Sequence, residues 1–168
     1  MAFFDAVRER LGGLPLILED LGHITPDVIE LREALGLPGM NVVARVGELS
    51  WRTDSVLYTS THDSDTLAGW WRRWGRENQP QLTTGATSAE DEHRALLQNV
   101  LAVENELVII PAQDLLWLGS EARMNRPGTT DGQNWTWKLE QPLRGEQAEW
   151  LAELTVAAGR GSFTPAHH

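Results

Sequence analysis

Apolar residues follow two different patterns along the chain: some recur at helical spacing, and others form short continuous runs. Residues 2–11 carry apolar side chains at helical spacing and stop at a pair of glycines, which predicts a surface helix. Residues 14–18 form a continuous apolar run, which is typical of a strand buried on both faces of a parallel sheet. Because Glu19 and Asp20 follow directly, the C-terminal end of this predicted strand carries two carboxylates.

The same two patterns recur to the end of the chain. Thr25, Pro26 and Asp27 supply an N-cap, a first-turn proline and a first-turn acid, which predicts a helix that ends at Gly36. Three further apolar runs predict strands, and three amphipathic stretches predict helices. The strands are expected at 40–46, 56–61 and 106–111, and the helices at 65–77, 89–103 and 144–158.

This alternation predicts an α/β fold, because parallel strands need the crossover connections that helices usually provide. A closed eight-stranded (β/α) barrel typically needs about 250 residues. The chain has 168 residues and four predicted strands, so we expect a partial barrel, half of a closed one, in a single domain over residues 1–168. Since a half-barrel exposes two strand edges and an apolar face, it should form a homodimer, pair with a complementary half or rearrange into an open sheet.

Composition narrows the range of partners. Lys and Arg number 14 against 24 Asp and Glu, which gives 14 − 24 = −10, a charge that repels phosphate backbones, so we expect no nucleic acid partner. Charged residues interrupt the apolar ones near the N-terminus, so neither a signal-peptide core nor a membrane span is predicted. The chain has no cysteine, which fits a reducing compartment, and we expect a cytoplasmic location.

Tryptophan is unusually frequent in this sequence. The chain contains eight tryptophans, and an indole face can stack on the apolar face of a sugar ring as readily as it fills a core. Composition does not choose between these two uses. For any single tryptophan, packing in the core is the more common outcome.

Acidic residues follow two of the predicted strands. Retaining glycosyl transfer uses two carboxyl groups about 5–5.5 Å apart, and active sites in parallel α/β folds lie at the C-terminal ends of the strands. Glu19, Asp20 and Asp63 occupy such positions. By position alone, helix capping or surface solvation explains these acids at least as well as catalysis.

Four strings around the acids carry more information than their positions. They are PLILEDLGHITPDV at 15–28, LREALGLPGM at 31–40, YTSTHDSDTLAGWW at 58–71 and GSEARMNRPGT at 119–129. In this order they resemble the motifs of the amylomaltase family of 4-α-glucanotransferases. The resemblance implies the C-terminal half of the family's α-amylase-like barrel. It also implies transfer of α-1,4-glucan segments between maltooligosaccharides, without a metal or an organic cofactor.

The resemblance also implies roles for individual residues. Glu19 matches the general acid/base, and Asp63 matches the acid that stabilises the transition state by fixing sugar hydroxyls. His62 matches a histidine that contacts the same ring, and Asn125 matches a position that lines the substrate cleft. Two of these residues also have a purely structural interpretation: Glu19 as a polar cap, and His62 as a structural hydrogen-bonding group.

Two further residues belong to the predicted substrate-binding set. Arg123 lies in the same string as Asn125, with a less certain role. Asp20 stands next to Glu19, and a charged neighbour after an apolar strand favours the protonated form that a general acid needs.

This sequence departs from the family pattern in three places. Family members carry a nucleophilic aspartate in an Arg-x-Asp motif at the strand before the EDLG strand, and we expect this chain to lack that strand. The string Arg52-Thr53-Asp54 has the right letters, but it falls between the second and third predicted strands. Ser64 stands where the family has an asparagine, and VVARVGELSW at 42–51 replaces an aromatic segment.

Without a nucleophile, the chain alone should form no glycosyl-enzyme and should be inactive in retaining transfer. We therefore expect a 4-α-glucanotransferase catalytic fragment that needs its missing half. The alternative is a non-catalytic maltooligosaccharide-binding or remnant protein.

Overall fold

The computed structural model describes residues 2–46 and 52–161. The first half of the string at 42–51 lies within the described residues, but its last five positions, 47–51, do not. Within the described part of the chain, no helix is long and apolar enough to cross a membrane.

Helices account for most of the regular structure. Helix α2, Pro26–Leu35, is followed by Gly36, whose φ of 64° gives the left-handed cap that glycine tolerates best. Helix α6, Ala89–Leu101, is capped by Ser88, whose Oγ accepts a hydrogen bond from the Asp91 N–H at 3.1 Å. The α-helices are α1 Ala2–Leu11, α2 Pro26–Leu35, α3 Val43–Val46, α4 Leu67–Trp70, α5 Arg76–Asn78, α6 Ala89–Leu101, α7 Ala112–Leu115 and α8 Gly145–Ala157.

Three strands form one parallel sheet in the order β1-β2-β3. They are β1 Gly39–Val42, β2 Ser55–Tyr58 and β3 Val108–Ile109. Gly39 pairs with Ser55 and Leu57 with Val108, both in parallel register. The predicted α/β class is therefore confirmed, with helices between parallel strands.

The predicted strand at 14–18 is wrong. This segment has no strand pairing. The Leu18 N–H donates one hydrogen bond, at 2.9 Å, to the carbonyl oxygen of Pro38, which directly precedes β1. Pro15 and Pro38 both lack the N–H that a ladder requires, and the Leu16 N–H donates locally to Leu14. Within 2–46 and 52–161 the sheet therefore has three strands, not the predicted four.

Two other predicted elements change type partway along. The predicted strand at 40–46 ends at Val42 and continues as helix α3. The predicted helix at 65–77 forms α4 and α5, joined by a π-helical segment, Trp71–Gly75. A Cβ at Gly75 would clash with the rings of Trp70 and Trp71, so the widened turn depends on glycine at this position.

The hydrophobic core lies between one face of the sheet and helices α4, α6 and α8. Leu57, at the centre of β2, is fully buried against it. Successive strand residues point to opposite faces, so Val56 and Tyr58 face the other side, where each lines a cavity. The core residues are Val43, Ala44, Leu57, Leu67, Trp70, Trp71, Leu82, Leu96, Leu97, Val100, Leu101, Leu115 and Leu154.

His93 joins three helical segments inside this core. Its ring lies between the indoles of Trp117 and Trp150, with centroid distances of 4.6 and 4.7 Å. Its Nε2 donates a hydrogen bond to the backbone carbonyl oxygen of Asp114 at 2.9 Å. Burial lowers the pKa of His93 to about 4, although that hydrogen bond acts to raise it. The imidazole is therefore neutral near pH 7.

Acid should destabilise this fold through His93. The ordinary pKa of 6.5 applies in the unfolded chain, whereas the folded histidine stays neutral down to about pH 4. Between those values the unfolded state binds more protons, so stability is lost as the pH falls through this window. His93→Gln, which keeps an N–H donor, should flatten the dependence of Tm on pH between 7 and 4.5, measured by thermal denaturation.

A control separates this effect from other titrations. Burial raises the pKa of Asp114, which acts in the opposite direction, so the difference between variants isolates the histidine. His23→Gln makes the same substitution at an exposed position and should keep the wild-type slope. Equal slopes in wild type and His93→Gln would show that His93 does not carry the acid sensitivity.

Candidate active site

A cavity of about 400 Å³ opens at the C-terminal ends of strands β2 and β3. Glu19, His62 and Asp63 all line it. Arg45, which follows β1, and Tyr58, the last residue of β2, line it as well. The segment 14–18 is not a strand, yet the chain still carries Glu19 to the edge where the sequence pattern predicted the site.

Glu19 is exposed, and no described residue donates a hydrogen bond to its carboxylate. The side chain of Asp20, the next residue, is buried and accepts hydrogen bonds. The two side chains leave the backbone in different directions, as neighbours in an extended segment do. Glu19 is therefore available to a ligand in the cavity.

Asp63 is held by residues from the 119–129 string. Asn125 Nδ2 donates to Asp63 Oδ1 at 2.6 Å, and Arg123 Nη2 donates to the Asp63 carbonyl oxygen at 3.1 Å. His62 Nε2 lies 3.5 Å from the same Oδ1, and the Asn125 N–H donates to the His62 carbonyl oxygen at 3.0 Å. None of the described residues donates to Oδ2, so one carboxylate oxygen remains open to a ligand.

Arg123 and His62 also share a second, smaller cavity of about 190 Å³ beside the first. Arg123 Nε is buried, and no described residue accepts a hydrogen bond from it. A buried guanidinium N–H without a partner is costly. Arg123 Nε is therefore an unsatisfied donor in the residue that holds the Asp63 backbone.

Ser64 closes the turn that presents His62 and Asp63. Its Oγ accepts from the Thr61 N–H at 2.9 Å and contacts the Asp65 carbonyl oxygen at 2.8 Å. Thus the serine that replaces the family's asparagine still makes local backbone contacts that fix the turn.

Two buried carboxylates, those of Asp114 and Asp65, accept hydrogen bonds from residues at the ends of the same turn. Asp114 accepts hydrogen bonds from the Thr59 hydroxyl at 2.5 Å and the Leu67 N–H at 2.8 Å. Burial raises the pKa of Asp114, against the hydrogen bonds from Ser60, Thr59 and Leu67, which lower it. Thr59 and Leu67 bracket the turn, so this one side chain fixes both of its ends.

The second carboxylate is that of Asp65. It accepts from the Thr66 N–H and the Ser120 hydroxyl, both at 2.9 Å, and pairs with Arg73 at 2.8 Å. The sequence analysis missed Asp65 and Asp114, because nothing local to either residue shows a contact with a distant segment.

Asp20, predicted to bind substrate, accepts hydrogen bonds from three residues of the protein. Its Oδ2 accepts from Arg32 at 2.8 Å and Arg52 at 2.7 Å, and its Oδ1 accepts from the Met40 N–H at 2.7 Å. Burial acts to raise its pKa, but these partners outweigh burial and hold the pKa below its usual range. A Cβ at Gly39 would clash with this carboxylate, so the chain has glycine there.

Asp54 pairs with the same two arginines that bind Asp20, the residue next to Glu19. Asp54 directly precedes β2 and lies 3.6 Å from Arg52 and 3.5 Å from Arg32. The expectation that the Arg52-Thr53-Asp54 string is not the nucleophile motif stays a prediction.

Carboxylates grouped beyond the carboxyl ends of parallel strands are typical of the active sites of α/β enzymes. Comparison with known proteins identifies the family. The 4-alpha-glucanotransferase family model matches residues 1–144, and the chain belongs to this family.

Relatives and solved structures agree with this assignment. The chain is 36% identical to the 4-alpha-glucanotransferase, chloroplastic/amyloplastic, of Solanum tuberosum, over 94% of this chain and 30% of that protein. It is also 36% identical to the 4-alpha-glucanotransferase of Thermus thermophilus, over 90% of this chain and 35% of that protein. The structure of amylomaltase from Streptococcus agalactiae in complex with acarbose matches with a TM-score of 0.80 and 27% identity, over 95% of this chain and 34% of that one. The chain thus spans about a third of the length of these relatives.

Loss of charge should destabilise the fold at Asp20 but have little effect on stability at the neighbouring Glu19. Asp20→Asn leaves the buried Arg32 guanidinium without its closest carboxylate, which should cost about 3 kcal/mol of unfolding free energy. Glu19→Gln removes an exposed, unpartnered charge and should change stability by less than about 0.5 kcal/mol. Urea denaturation of both variants measures the difference, and equal effects would contradict the separate roles assigned to these two acids.

Proposed function

We propose that this chain supplies the acid/base side of a 4-α-glucanotransferase active site. In this proposal Glu19 is the general acid/base, and Asp63 is the transition-state stabiliser. The observation that supports it most is that Glu19, His62 and Asp63 line one cavity at the carboxyl edge of the sheet, inside a family match. Asn125 and Arg123 act as residues that hold Asp63.

The chemistry proceeds in two steps. A carboxylate nucleophile attacks the anomeric carbon while Glu19 donates its proton to the glycosidic oxygen, so that the leaving glucan departs as an alcohol. Glu19 then takes the proton from the 4-hydroxyl of an acceptor glucan, whose oxygen displaces the nucleophile. The free Oδ2 of Asp63 accepts hydrogen bonds from the sugar hydroxyls as positive charge develops on the ring.

In this proposal the nucleophile comes from a polypeptide segment outside this 168-residue chain. The sheet supports the idea, because cavities and exposed apolar side chains lie on its second face. Ile17 and Leu107 are 41% and 46% exposed, and both line a cavity of about 740 Å³ at the other end of the strands. We infer that the three strands are part of a barrel that a preceding half completes, in preference to a homodimer.

A fused protein tests the catalytic proposal. The part of the Streptococcus agalactiae amylomaltase that precedes its match to this chain is joined upstream of Ala2, and maltotriose disproportionation is assayed. The fusion should transfer glucan, whereas the chain alone should not. Glu19→Gln should lower the rate about 10²–10⁴-fold, and Asp63→Asn about 10²–10³-fold.

Glu106→Gln is the matched control for these substitutions. Glu106 is exposed and lies just before the N-terminal end of β3, outside the cavity that Glu19 lines. Its substitution should leave the rate within about twofold of the parent fusion. A folded fusion with no transfer, or one insensitive to Glu19→Gln, would refute the assigned roles.

The non-catalytic alternative rests on the same groups. His62, Asp63 and Asn125 form a polar surface that could hold a sugar without any reaction. If the chain is a maltooligosaccharide-binding protein, calorimetry should detect binding that Glu19→Gln leaves intact, while the fusion remains inactive.

The expected cytoplasmic location stays a prediction.

A further inference from the structure

Trp135 differs from the other tryptophans that the structure describes. Its side chain is 62% exposed, whereas Trp70 and Trp71 are buried in the core. Trp74, the next most exposed, is 39% exposed and packs against Trp70 at 5.8 Å. Trp135 therefore does little for core packing, and exposure by itself would need no explanation.

The backbone at Trp135 is held in an unfavourable conformation. Its φ of 61° lies in the left-handed region, which costs about 1 kcal/mol or more for a bulky residue. The Trp135 N–H donates to the Met124 carbonyl oxygen at 2.6 Å, which fixes this conformation. Strain of this kind persists only where the surrounding structure maintains it, and it occurs often at ligand sites.

The loop before Trp135 is built to hold it. Asn134 Oδ1 accepts from the Arg126 N–H at 2.8 Å, and Asn134 Nδ2 donates to the Thr129 carbonyl oxygen at 3.0 Å. At the other end of the loop, the Asn125 N–H donates to His62. The exposed indole is therefore presented by a hydrogen-bonded loop that is attached to the candidate site.

The indole stands beside the predicted sugar-contacting groups. Its ring centroid lies 5.3 Å from that of His62, with an angle of 33° between the planes. His62 Nε2 lies 3.5 Å from Asp63 Oδ1. The imidazole of His62 therefore lies between the Asp63 carboxylate, which lines the cavity, and the Trp135 indole.

A neutral sugar ring is the ligand that fits this surface. A pyranose has an apolar C–H face, which packs on an indole, and a rim of hydroxyls, which need hydrogen-bonding groups such as Asp63 and His62. We propose that Trp135 is a stacking platform for a glucosyl unit of an α-1,4-glucan, adjacent to the unit that His62 and Asp63 contact. This inference rests on the proposed function.

Titration with glucans of two lengths tests the platform. The ¹⁵N-labelled 168-residue chain is followed by NMR as maltotriose or maltoheptaose is added, and the Trp135 indole N–H signal is identified by its absence in Trp135→Gly. Glycine suits the left-handed φ, so this variant removes the indole without straining the loop. The Trp135 signal should shift with maltoheptaose, and Trp135→Gly should weaken maltoheptaose binding by about fivefold.

Three comparisons give the result its meaning. Trp135→Phe keeps an aromatic face and should recover most of the lost affinity. Trp74→Ala removes an indole outside the site and should leave the Kd unchanged. Maltotriose, which is long enough to span two adjacent units, should lose affinity in Trp135→Gly as maltoheptaose does.

Equal affinity of wild type and Trp135→Gly for maltoheptaose would overturn the platform while leaving the proposed function intact. A chain that binds neither glucan, although the fusion transfers glucan, would also overturn the platform alone. An inactive, folded fusion would overturn the proposed function instead.

Discussion

The buried carboxylate of Asp114 is the contact on which the candidate site most depends. It accepts from Thr59 at the end of β2 and from the Leu67 N–H at the start of α4, so it sets the length and path of the turn between them. That turn carries His62 and Asp63. Asp114 also lies under His93, whose imidazole bonds to its carbonyl oxygen, so the core helices and the site share one set of hydrogen bonds. A buried acid with several donors is stable only while each donor stays in place, which makes the turn rigid.

Acids close together in the sequence divide into two structural roles. Glu19 and Asp63 face the cavity, while Asp20 and Asp65, one and two residues further along, are buried among arginines and backbone N–H groups. The buried acid of each pair fixes the local backbone, and the exposed acid keeps at least one oxygen for a ligand. The EDLG and THDSD strings thus combine a chemical group with the contact that orients it.

Much of this arrangement could be predicted from the sequence, and the failures have physical causes. Parallel pairing, the helix at 26–35 and the grouping of Glu19 with Asp63 follow from apolar runs that end in acids. The segment 14–18 looked like a strand because its apolar pattern is that of one, but Pro15 and Pro38 remove the donors that pairing needs. Trp135 was missed because a tryptophan normally packs in a core, and a left-handed φ leaves no trace in a residue that is not glycine. The roles of the site residues remain predictions until activity is measured.

In the proposed enzyme, Glu19 and the nucleophile belong to different segments of polypeptide. Trapping the glycosyl-enzyme tests this directly, with the Glu19→Gln fusion and α-maltotriosyl fluoride, whose leaving group needs no acid. Slow loss of the intermediate should let it accumulate, and peptide mass spectrometry should find the maltotriosyl ester on the upstream segment. A maltotriosyl ester on any carboxylate of this chain, Asp54 or Asp63 included, would contradict the claim.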